Sequence, residues 1–157
     1  MSTQVALTAA AALAHGLSPV SIAVDTRESG MMVSEFPSKG CFLSLQGPPG
    51  GPLFFAVRDV TGSRRSLAEH VRAGETRDVV LGAEETLDVA GEKRTALLYF
   101  TGEQSAATVG CAVVVPAGEA RILLDFGGGG ARGSVKSCGE LVRRRPFSRL
   151  IGSFRAE

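Results

Sequence analysis

Between Glu92 and Phe126 the chain carries three apolar runs, Ala96–Phe100, Val109–Val115 and Ile122–Phe126, separated by Gly102, Pro116 and Gly118. Short runs rich in Val, Ile, Leu, Phe and Tyr that end this abruptly predict strands, because a helix needs more length to close its hydrogen bonds. They are nearly continuous and do not strictly alternate, so at the centre of a sheet these strands are expected either to be covered on both faces or to be central strands of a sandwich. Alternation is clean elsewhere. Val20, Ile22 and Val24 share one face, as do Val79 with Leu81 and Leu87 with Val89, which predicts further strands over Val20–Val24, Arg77–Leu81 and Thr86–Val89. Met31–Phe36, Cys41–Gln46 and Leu53–Val60 complete the set. Ser66–Arg72 fits a helical turn through Leu67 and Val71 and also a strand with Leu67, Glu69 and Val71 on one side; it is read as a strand.

Turn signals divide these runs from one another. Pro37 and Gly40 lie between the Met31 and Cys41 runs, Gly47–Pro52 removes ladder donors over a loop, and Ala-Gly-Glu recurs at Ala73–Glu75, Ala90–Glu92 and Ala117–Glu119, where Gly supplies a positive φ. The spacing predicts an all-β fold, a single antiparallel sandwich or jelly roll of about 8–10 short strands over residues 19–126. Residues 1–18 form an N-terminal arm or, across the alanine-rich Thr3–Ala14, a short helix. Residues 127–133 read as a Gly-rich hinge and 134–157 as a basic amphipathic tail.

The chain has 157 residues, enough for one domain with its own core, and 44% of them are apolar, an ordinary share for a globular protein. Three cysteines, Cys41, Cys111 and Cys138, form no CxxC pair. Their odd number and apolar neighbours predict buried, unpaired thiols in a reduced, intracellular setting. The opening residues lack the basic start of a signal peptide, and no apolar run is long enough to cross a bilayer, so a soluble protein or a member of an assembly is expected. The net charge of +1 hides an asymmetry: residues 131–157 carry seven basic side chains against Glu140 and Glu157, which leaves the rest of the chain acidic.

Candidate chemistry is sparse. Gly128-x-Gly130-x-x-Gly133 matches a dinucleotide fingerprint, but no second strand with an acidic residue follows it, so a hinge is the stronger reading. His15 and His70 sit beside no nucleophile motif, and no zinc or calcium pattern is present. The acidic side chains Asp25, Glu28, Asp59, Asp78, Glu84, Glu85, Asp88 and Asp125 read as solvated. No cofactor, metal or catalytic residue is assigned.

The tail holds the most specific pattern. Phe147, Leu150, Ile151 and Phe154 fall at i, i+3, i+4 and i+7, one helical stripe opened by Pro146 and preceded by Arg143, Arg144 and Arg145. Packed on its own sandwich, the stripe is a C-terminal helix; presented outward, it is a docking element. The preferred reading is a non-enzymatic structural or interaction subunit of a larger assembly, a virion coat or decoration protein being one example. It would bind copies of itself or a scaffold through its terminal segments, with Phe147, Leu150, Ile151, Phe154 and Arg143–Arg145 as the contact residues. Two alternatives stand beside it. One is a ligand-binding jelly roll or barrel with His70, Arg58 or Tyr99 lining its site; the other uses the arginines of 132–155 on nucleic acid, membrane or another anionic partner.

Overall fold

Alternation along the three central runs settles how the sheet is covered. A computed structural model of the chain describes residues 4–35, 37–38, 40–47, 53–75, 78–102, 107–130 and 134–157. Its elements in order are β1 (Gln4–Leu7), α1 (Ala9–Ala14), β2 (Ile22–Asp25), β3 (Met32–Glu35), β4 (Cys41–Gln46), β5 (Phe54–Asp59), α2 (Leu67–Ala73), β6 (Val79–Val89), β7 (Glu92–Thr101), β8 (Thr108–Ala117), β9 (Ala120–Gly129), α3 (Cys138–Val142), α4 (Phe147–Ser153) and β10 (Arg155–Ala156). Strands hold 49% of the described residues against 18% in helices, so the class is β, as expected.

Seven strands form one antiparallel sheet in the order β3-β4-β5-β9-β8-β7-β6, and β1-β2-β10 form a second, three-stranded sheet. Successive residues of the central runs serve opposite faces. Ala96, Leu98, Cys111, Val113, Ile122, Leu124 and Phe126 join the main core together with Ile22 and Val24 of the small sheet and Leu141, Leu150 and Ile151 of α3 and α4. Their neighbours Leu97, Tyr99, Ala112 and Leu123 pack on the other face against Val71 of α2, with Leu67 and Ala68 beside them. Both faces are therefore dry at the centre, which is why these runs read as continuous.

Several expectations are corrected. Ser66–Arg72 is helical: the Ser66 hydroxyl accepts from the Glu69 amide while the Glu69 carboxylate accepts from the Ser66 amide, a capping box that outweighs the strand alternation. Arg77–Leu81 and Thr86–Val89 belong to one strand, β6, whose register shifts between Leu81 and Glu84; Arg77 lies outside the described residues, as do residues 48–52 of the expected loop. The N-terminal segment is both arm and helix, since β1 pairs with β2 and α1 follows behind a Thr8 cap. Two of the three Ala-Gly-Glu turns carry the expected positive φ, at Gly91 and Gly118, whereas Gly74 ends α2 in the right-handed region.

The hinge is also corrected. Gly127–Gly129 lie inside β9, paired with Thr108–Gly110 of β8. A side chain at Gly127 would overlap the Val109 carbonyl oxygen, and one at Gly128 would meet Leu53 at 2.9 Å, so these glycines let backbones and a neighbour approach closely. Residues 131–133, the rest of that hinge and of the fingerprint, fall outside the described residues. Nor are the cysteines three free thiols: Cys111 and Cys138 form a disulfide with Cα atoms 5.7 Å apart, tying β8 to the start of α3, and Cys41 stays outside it as a buried thiol. The reduced setting inferred from the odd count thereby loses its basis. Tertiary packing carried the pair together across 27 residues.

Candidate functional site

Strand register lays two rows of side chains across the α2 face of the large sheet. One row runs Leu97, Ala112, Asp125, Ala56, Ser44; the next runs Tyr99, Gly110, Gly127, Phe54, Gln46. Helix α2 packs over β6, β7 and β8. Beyond it, over Phe54 and Ala56, a trough of about 270 Å³ opens, bounded by Ser44, Arg58, Glu75, Tyr99 and Asp125. A recess of about 190 Å³ shares Arg58, Gly74 and Asp125 with it and extends to Asp59, Arg65 and His70.

Tyr99 and Asp125 form the polar centre. With no side chain at Gly110, the Tyr99 ring lies across β8, and a methyl placed there would overlap the ring. The hydroxyl thus reaches over one strand to donate to Asp125 Oδ1 at 2.5 Å. Burial pushes the Asp125 carboxyl up to about 6, with the Tyr99 hydrogen bond and the charge of Arg58 pulling against it. Burial, and then the adjacent negative charge, hold the Tyr99 phenol far above its ordinary range, so the proton stays on oxygen and the group acts as a donor.

The recess has a different balance. Burial raises the Asp59 carboxyl, but hydrogen bonds from Thr61 and Ser18 outweigh it and hold the group below the usual carboxylate range. His70 is pushed down by burial and then by Arg121 and Arg65, which keeps its ring neutral at neutral pH. Its Nε2 is buried without a hydrogen-bond partner among the described residues.

The tail residues are divided by the structure. Phe147, Leu150, Ile151 and Phe154 are all buried in their own chain. Phe147 packs against Phe126 with ring centroids 5.4 Å apart and the rings tilted by 43°. As packed here they are core residues, and the expectation that they form an outward docking stripe is replaced: the apolar face of the large sheet needs a cover, and the tail is tethered close enough to supply it. Beyond the stripe, β10 pairs with β2. Arg143, Arg144 and Arg145 stay exposed between α3 and α4, Arg144 pairing with Glu140 at 3.3 Å.

Of the site residues, Arg58, His70 and Tyr99 were legible as candidates; Asp125 was read as solvated. A signal existed, since Asp125 is the one charge within the run Ile122–Phe126. Among the described residues no group of three or more His, Cys, Asp and Glu side chains is placed to hold a metal, and no helix is long and apolar enough to cross a membrane.

No protein-family model and no curated protein matches this sequence. Among solved structures it is similar to the solution structure of cyanobacterial PsbP (CyanoP) from Synechocystis sp. PCC 6803, with a TM-score of 0.54 and 12% identity, covering 100% of this chain and 94% of that one. At that identity the likeness shows the fold, a PsbP-like antiparallel sheet flanked by short helices.

Proposed function

We propose that the protein is a non-enzymatic binding subunit that receives a polar group, free or presented by a partner within a larger assembly, in the trough beside α2. The observation that carries this reading is the open space over Phe54 and Ala56 next to the hydrogen-bonded Tyr99–Asp125 pair, with Arg58 at the rim. Concave surfaces with a few convergent polar groups are where ligands bind. The terminal segments expected to dock outward instead complete the chain's own core and small sheet, which moves the binding role to this face.

The test is a screen of small polar molecules followed by amide chemical shifts on the full chain. Hits should cluster at Ser44, Ala56, Tyr99 and Asp125 and be lost in Ala56→Arg, a variant that fills the trough from its floor. Hits that cluster elsewhere and survive Ala56→Arg overturn the reading. The exposed Arg143–Arg145 turn supports a second contact with an anionic partner. Binding to a polyanion such as heparin should then weaken steeply with added salt and with Arg143–Arg145→Ala.

A further inference from the structure

Donors and acceptors in the recess beside the trough are unequally committed. Asp59 accepts from the Ser18 amide at 2.8 Å and the Thr61 amide at 3.1 Å, and Asp125 accepts from Tyr99. Arg58 and Arg65, by contrast, form no ion pair among the described residues. His70 is only 7% exposed, and its Nε2 has no partner among the described residues. A buried ring nitrogen left unmatched is costly, and here it lines the same recess as two guanidiniums with donors to spare.

We propose that this recess binds a small carboxylate, which accepts hydrogen bonds from His70 and from the guanidinium groups of Arg58 and Arg65. The inference rests on the trough being a binding surface and names its ligand class. The planar fork of a guanidinium matches the two oxygens of a carboxylate. A volume of about 190 Å³ holds several water-sized groups, so the acid can carry a short body that extends toward the trough. Asp59 and Asp125 border the recess and repel a second negative charge, which favours a monoanionic carboxylate over a phosphate dianion.

Acetate is the simplest probe. Titrated into the isotopically labelled full chain, it should shift the His70 ring and Gly74 amide signals saturably. Chloride at matched ionic strength should not, and phosphate should bind several-fold more weakly. Arg58→Gln and Arg65→Gln, both at exposed positions that leave the core intact, should each weaken acetate at least tenfold. Equal shifts with chloride, equal affinity for phosphate, or unchanged acetate binding in both variants overturn the assignment. If acetate leaves His70 unmoved while neutral polar molecules still perturb Ser44 and Tyr99, the carboxylate assignment falls and the trough reading stands. If neither binds, both fall.

Discussion

Replacing Phe147 by Ala separates a tail that builds the core from a tail that docks on a partner. Phe147 is 2% exposed, and its ring faces Phe126 at 5.4 Å. Truncating a buried Phe costs about 3–5 kcal/mol through lost transfer energy and the cavity left behind. Loss of the aromatic pair adds about 0.5–1.5 kcal/mol, for a total of about 3.5–6.5 kcal/mol. Domains are stable by only about 5–15 kcal/mol, so the variant should remain folded in the cold with most of its margin gone. At roughly 2–4 °C per kcal/mol for a chain of this size, Tm should fall by about 7–26 °C. Urea titration and thermal melts followed by circular dichroism measure the loss, and light scattering gives the mass in parallel. The mass should not change. Arg143→Ala, at an exposed position, should shift stability by less than about 0.5 kcal/mol. A Phe147→Ala protein that keeps its Tm but drops to a smaller assembly would refute the reasoning, because the stripe would then be buried against another chain.

Three other outcomes are expected. Asp125 has its carboxyl raised to about 6 in the folded chain, so the folded state favours the protonated form; stability present below pH ~4 is lost as pH rises through about 6. Asp125→Asn should therefore gain on the wild type by up to about 3 kcal/mol between pH 4 and 7, and a difference in melting temperature that stays flat with pH counts against the burial argument. Gly110→Ala should destabilise by about 1–3 kcal/mol by displacing the Tyr99 ring, and much less in a Tyr99→Ala background; additive effects in the double variant would show that the ring does not lie across Gly110. Unfolded without reductant, the chain should titrate as one thiol, Cys41, and breaking the Cys111–Cys138 bond, which spans 27 residues, should cost about 3–4 kcal/mol by loop entropy; three thiols without reductant would exclude the bond.

The sequence by itself determined the β class and the places of most strands. Each rests on local pattern: period-two alternation, unbroken apolar runs, and glycine at two-residue turns such as Ala90-Gly91 and Gly118-Glu119. The tail stripe was legible for the same reason, because residues at i, i+3, i+4 and i+7 share a face in any helix. The helical spacing of Leu67 and Val71 was legible too, but over so short a span strand alternation fitted equally well. What only the tertiary structure decided was where each face found its partner. The stripe meets the chain's own sheet because an uncovered apolar sheet face and a tethered apolar helix bury each other at little further entropic cost. Asp125 becomes half-buried, Cys111 meets Cys138, and Gly110 opens a path for Tyr99 through strand register and packing between residues far apart in sequence, and no local pattern encodes those distances.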